Sequence, residues 1–168
     1  MSEFERIFDA ARLPTGEQQL EASEAECAAL ASRFGLVAVK ALKARITLAP
    51  DGPTVRATGK LEAQVVQSCA VSGDDLPARI AETVALHFVP AKPLTEGELE
   101  LDAAELDQIE MDSARFDLGE AIAQGMALGI DPYAEGPTAE ATRRKAGLLG
   151  EAESGPFAAL AALKPKLP

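Results

Sequence analysis

The sequence predicts an α+β fold: an antiparallel sheet, barrel-like or open, packed by two or three helices and followed by a C-terminal tail. Three observations predict it. Apolar and polar residues alternate through most of residues 36–89, the period of a sheet with one packed and one wet face. Two flanking stretches, 23–34 and 117–130, show helical spacing behind a capping residue. Beyond residue 133 the pattern gives way to a polar, glycine-bearing run. The expected organisation is a core over residues 1–133, then a linker and short apolar tail over 134–168.

The first helix begins at Ser23, where Ser23 and Glu26 have the spacing of a capping box that satisfies orphan amides at the helix start. Cys27, Leu30, Ala31 and Phe34 form one apolar stripe, so Cys27 is expected in the core, and Gly35 suits the stop. LVAVKALKARITL is the first long strand, and its phase slips near Ala41–Leu42, which predicts a bulge. After the turn Asp51-Gly52-Pro53, Val55, Ala57, Leu61, Ala63 and Val65 alternate with polar residues on a second strand. Cys69 continues the inward phase into the turn Ser72-Gly73-Asp74-Asp75. A third strand follows with Ile80, Val84, Leu86 and Phe88 inward, and LDQIEM offers a further short one. In FDLGEAIAQGMALGIDPY, Asp117 is the expected N-cap, with Glu120 at the third helical position. GPFAALAAL (155–163) reads as a short apolar helix or tail end behind the polar stretch.

The chain has 168 residues, 47% of them hydrophobic and 4% aromatic, so it can bury a core built mainly of Ala, Val, Leu and Ile. Its net charge of −11 opposes association with nucleic acid and anionic membrane when taken over the whole molecule. No apolar run is long enough to span a bilayer. The start, MSEFERIFDAARLP, lacks the basic and apolar regions of a secretory signal, so a cytoplasmic, membrane-free protein is expected. Two cysteines far apart make no disulfide framework. The single histidine, His87, falls on the outward phase of its strand, away from the inward Cys69, which disfavours a thiol dyad or a serine triad. Cys69 has no partner cysteine at knuckle spacing, since Val66 and Ser72 occupy those places. No metal, cofactor or catalytic activity is expected, and Cys69 is expected to be a buried residue closing a hairpin corner.

Charge is unevenly placed. From Arg33 to Lys60 the local net charge is +5, with Lys40, Lys43, Arg45, Arg56 and Lys60 among its cations. From Leu94 to Glu120 it is −9. Strand phase puts Lys43, Arg45, Arg56 and Lys60 on one wet face of the hairpin, the footprint of phosphate contact. The same cations also suit an ordinary solvated strand face, or pairing in cis with the acidic segment. No aromatic residue interleaves them, which points to backbone or shape recognition rather than base stacking.

A strand running into QSCAVSGDDLPARI, an acidic connection, FDLGEAIAQGMALGIDPY and a late GPFAALAALK together resemble the YceD-like family of domains of unknown function. Its members are called large ribosomal RNA subunit accumulation proteins. The likeness runs roughly from residue 4 to residue 164. It is strongest at Cys69 with its turn and at Asp117-Leu118-Gly119-Glu120. The resemblance implies a bacterial ribosome-biogenesis factor, with plastid relatives, whose gene often neighbours that of a large-subunit ribosomal protein. Many relatives carry paired cysteines near this turn and more near the end. This chain keeps only Cys69 of that set, so no metal role is carried over.

The leading expectation is a non-enzymatic factor that supports large-subunit ribosomal RNA maturation by binding RNA, a ribosomal protein, or both. Lys40, Lys43, Arg45, Arg56 and Lys60 are its candidate RNA contacts. The alternative is an adaptor that holds a basic ribosomal protein through acids such as Glu98, Glu100 and Asp102 without touching RNA. Phe157 and Leu160 are further candidate partner contacts in the tail. A thiol-dependent enzyme is the third reading.

Overall fold

The computed structural model of the chain describes residues 2–91, 108–112 and 114–147. In order along them run β1 (Ile7–Asp9), a 3-10 turn (Ala10–Arg12), β2 (Glu17–Glu21), α1 (Glu24–Arg33), β3 (Ala38–Asp51) and β4 (Thr54–Ser68). There follow β5 (Asp75–Pro90), β6 (Gln108–Met111), β7 (Arg115–Asp117), α2 (Leu118–Leu128) and α3 (Ala139–Lys145). The expected α+β class is the observed one. Five strands form one sheet in the order β2-β3-β4-β5-β6, and β1 pairs with β7 in a separate two-stranded ribbon. Contacts group the chain into two units, Met1–Gln67 with Pro77–Asp131, and Ser68–Leu76 with the chain from Pro132.

One alternative left by the sequence is resolved and one detail is corrected. The sheet is open, with β2 and β6 as its edges and no pairing that closes a barrel among the described residues. It is also mixed: β6 runs parallel to β5, with His87 opposite Gln108 and Pro90 opposite Met111. A parallel neighbour needs a long crossover, and residues 91–107 supply the length for one.

Strand length and register follow the alternation. Asp51 pairs with Thr54 across a two-residue turn in which Gly52 takes φ +62°, a conformation that L side chains rarely adopt. From there β3 and β4 stay in register until Val39 opposite Val65 is followed by Ala41 opposite Gln64, which leaves Lys40 as the extra residue of a bulge. The phase slip read near Ala41–Leu42 is this bulge. It lets Val39 on one side and Leu42, Ala44, Ile46 and Leu48 on the other all face the core.

The helices cover that face. α1 is capped as expected: Ser23 accepts from the Glu26 amide, and the Glu26 carboxylate accepts from the Ser23 amide at 2.7 Å. Such a cap is worth about 1 kcal/mol. α1 buries Cys27, Leu30 and Ala31 and packs on β3. Asp117 caps α2 by accepting from the Glu120 amide at 3.1 Å. α2 buries Leu118, Ile122 and Met126. Gly119 lets the N-terminal segment cross the start of α2, since a Cβ there would lie 1.8 Å from the Phe4 carbonyl oxygen. The Phe4–Arg6 stretch is fixed at that crossing by Arg6 N–H donating to Asp117 (2.8 Å) and Leu118 N–H donating to the Arg6 carbonyl (3.0 Å). Phe116 of β7 stacks on Phe88 of β5, ring centroids 4.3 Å apart, and on Phe8 of β1 at 5.9 Å. Removing the fully buried Phe88 ring would cost about 3–5 kcal/mol.

Candidate functional site

With α1 and α2 on one face of the five-stranded sheet, the outward side chains of β2, β3 and β4 stand exposed on the other. Cross-strand register arranges them in rows. One row runs Glu21–Lys43–Glu62, and the next runs Gln19–Arg45–Lys60. Thr47 lies opposite Thr58 and Ala49 opposite Arg56, towards the turn. The structure therefore brings Lys43, Arg45, Arg56 and Lys60 to one exposed face. Lys40 is exposed too, at the bulge.

Acids share that face. Lys43 Nζ lies 2.7 Å from Glu21, and Arg56 Nη2 lies 2.7 Å from Asp51. Arg45 meets Glu62 only at 3.6 Å. Neither Lys40 nor Lys60 forms an ion pair among the described residues. A shallow depression of about 200 Å³ opens over the two rows, lined by Gln19, Glu21, Lys43, Arg45, Lys60 and Glu62. The acidic candidates Glu98, Glu100 and Asp102, and the tail candidates Phe157 and Leu160, lie outside the described residues.

A second polar centre is built from the turn 68–76 and the segment after Pro132. Cys69 closes the turn: its N–H donates to the Asp74 carbonyl at 2.8 Å and its carbonyl accepts from Gly73 N–H at 3.0 Å. It is buried, as expected of a corner residue, but its sulfur is not a plain apolar group. Sγ accepts from the Ser72 and Gly136 amides, each at 3.3 Å. The Ser72 side chain first, then the amides of Ser72, Gly136 and Val71, lower this thiol from 9.0 to about 6. Beside it the Asp74 carboxylate accepts from Thr138 Oγ1 and from Ser72 Oγ at 2.8 Å, so Cys69 and Asp74 share the one Ser72 hydroxyl proton, and Thr138 first, then Ser72, hold the carboxyl below its ordinary value. Arg143 pairs with Glu135 in the same unit. Cys27 behaves oppositely, since burial in the core raises its thiol. Among the described residues no group of three or more His, Cys, Asp or Glu is placed to hold a metal ion.

A family model described as "Large ribosomal RNA subunit accumulation protein YceD" matches residues 57–164. The chain belongs to the YceD family. Membership ties it to the accumulation of large ribosomal subunit RNA. No curated protein and no solved structure matches the chain. The YceD match takes in Lys60, Cys69 and α2, and begins just after Lys40, Lys43, Arg45 and Arg56.

The sequence left three parts of this surface unseen. Gln19 and Glu21 belong to β2, a five-residue strand with Leu20 as its one buried residue and too short to show a period. Glu62 alternates correctly, but its position opposite Lys43 depends on the β3–β4 register. The Gly136 donor to Cys69 stands 67 residues away in sequence, beyond the reach of any local spacing argument.

Proposed function

We propose that this YceD-family chain is a non-enzymatic ribosome-biogenesis factor that works in the cytoplasm and contacts large-subunit ribosomal RNA through the exposed sheet face of β2, β3 and β4. The observation that carries the reading is the placement of Lys43, Arg45, Arg56 and Lys60 on one exposed sheet face. Phosphate recognition uses cations standing on a surface broad enough to follow a backbone. No Phe, Tyr or Trp occurs between Leu36 and Gln67, so the face suits backbone and shape contacts better than base stacking. A net charge of −11 would restrain non-specific RNA binding and confine contact to this face.

The adaptor reading has its own support. Glu21 and Asp51 already neutralise Lys43 and Arg56, and an acidic molecule is suited to shielding a basic ribosomal protein. Crosslinking in cells, with both RNA and protein adducts identified, separates the two. The RNA reading expects large-subunit ribosomal RNA adducts on peptides from β3 and β4. Adducts to a ribosomal protein alone, with no RNA on those strands, would overturn it.

A further inference from the structure

We infer that Arg45 and Lys60, facing each other across β3 and β4, form a seat for one phosphate group of a nucleic-acid backbone, with the Gln19 amide as a third donor. The inference rests on the RNA reading for its biological ligand, while its chemistry is testable without RNA. It begins from an anomaly of register. Arg45 lies directly opposite Lys60, and like charges directly opposite each other destabilise a sheet. The neighbouring row shows what an ordinary solvated sheet face does with the same residues. There Glu21, Lys43 and Glu62 alternate in sign across three strands, and Lys43 is held at 2.7 Å. Arg56 is held by Asp51 at the same distance. On the Arg45 row the partner from β2 is the neutral Gln19, Glu62 reaches Arg45 only diagonally at 3.6 Å, and Lys60 has no ion pair among the described residues. Two facing cations that share a single long ion pair leave positive charge on this row for an external anion to neutralise.

Local backbone geometry reinforces the row. Gly59, which precedes Lys60, faces Ile46 with no side chain, and a Cβ there would lie 1.9 Å from the Arg45 carbonyl oxygen. The absence of a Cβ lets β3 and β4 close tightly at this row. The depression of about 200 Å³ over the row has room for a phosphate group and opens to solvent, so a chain can pass across it. Lys43 and Arg56, with their own acids, are flanks to this seat.

The test compares the full-length chain with two double variants, Arg45→Gln/Lys60→Gln and Lys43→Gln/Arg56→Gln. Binding of labelled large-subunit ribosomal RNA fragments is followed by fluorescence anisotropy over a range of salt. In parallel, amide and side-chain NMR signals are titrated with inorganic tripolyphosphate. The Arg45/Lys60 variant should lose roughly tenfold in RNA affinity at low salt, and its slope of log affinity on log salt should flatten by somewhat under one unit, about 0.7–0.9 for one phosphate. The Lys43/Arg56 variant should change less on both counts. Tripolyphosphate should shift the signals of Arg45, Lys60 and Gln19 in the wild type and in the Lys43/Arg56 variant, and should leave Gln19 unmoved in the Arg45/Lys60 variant. The Arg45/Lys60 variant should melt no lower than wild type at low salt, because a repulsion has been removed. A lower Tm would argue that the pair is not repulsive and would count against the seat. Wild-type RNA binding that the two variants weaken equally would overturn the seat and leave the RNA reading standing. No RNA affinity, but tripolyphosphate shifts centred on Arg45 and Lys60, would keep the seat and overturn the RNA reading. Silence in both titrations would remove both.

Discussion

Arg33, in the last turn of α1, clasps Glu120, in the first turn of α2, through two charge-assisted hydrogen bonds of 2.8 and 2.6 Å. Each partner sits where its helix dipole favours its charge. Arg33 also reaches Glu3 at 2.7 Å, and Ser2 and Gln124 donate to Glu120, so the N-terminal segment and both helices share one polar clasp. Arg33 above all holds the Glu120 carboxyl at about 2, against an ordinary 4.5. Glu26 is lowered to about 2 in the same way, chiefly by Arg6. A carboxyl lowered in the folded state stabilises it fully above the ordinary value, and that contribution fades as pH falls from 4.5 towards 2. Glu120→Gln should therefore cost about 1 kcal/mol at pH 7, after allowance for solvent screening, and almost nothing near pH 2. Urea melts across that range check it. A cost that stays constant with pH would show that the side chain acts by packing alone.

The glycines of α2 give a sharper contrast. A Cβ at Gly119 would collide with the Phe4 carbonyl oxygen, which belongs to backbone and cannot swing away. A Cβ at Gly125 would meet only a Leu61 methyl at 3.4 Å. Gly119→Ala should cost several kcal/mol or detach the N-terminal segment, as over-packed sites do. Gly125→Ala should be neutral or stabilise by up to about 1 kcal/mol, the gain in helix propensity. Paired thermal melts decide this, and equal effects at the two sites would contradict the close crossing at Gly119.

Much of this architecture was legible because its signals are local. The Ser23–Glu26 box, the Asp117 cap, the long alternating strands and the slip near Ala41–Leu42 all lie within a few residues of their effects. β1, β2 and β7 were not legible, because strands of three to five residues carry no period and exist through pairing. That gap changed the reading of the site. Without β2, the four cations of the hairpin had no acid assigned to any one of them; with it, Glu21 quenches Lys43, and Gln19 leaves Arg45 facing Lys60. The polar run after residue 133 hid α3 for a related reason, since AEATRRK has little apolar stripe and buries only Ala139.

Cys69 should titrate as an acidic thiol. Followed by the ultraviolet absorbance of the thiolate, which needs no reagent to enter the site, it should show a midpoint near 6 in the folded protein. Ser72→Ala should move that midpoint up towards the ordinary 9.0 by removing the largest contribution. Cys27 should give no thiolate over the same range, because burial raises it. An unperturbed Cys69 midpoint in the wild type would mean that the amides of Ser72 and Gly136 do not point at sulfur in solution.

Chain shortening tests the unit to which Cys69 belongs. The turn 68–76 is joined to the later segment by Ala70 N–H donating to the Ala134 carbonyl at 3.0 Å, by Gly136 N–H donating to Cys69 Sγ, and by Thr138 bonding Asp74. A chain ending at residue 133 lacks all three of these links. A chain ending at residue 147 keeps them. The shorter one should show faster amide hydrogen exchange over residues 69–75 and a Cys69 midpoint raised above 6, because one amide donor has gone. The longer one should match the full chain in both. Exchange over β3 and β4 should be the same in all three, since those strands lie in the other unit apart from Ser68. If the chain ending at 133 kept both the slow exchange and the low thiol midpoint, residues 134–147 would be dispensable to the turn, and the core boundary expected at residue 133 would be the working one.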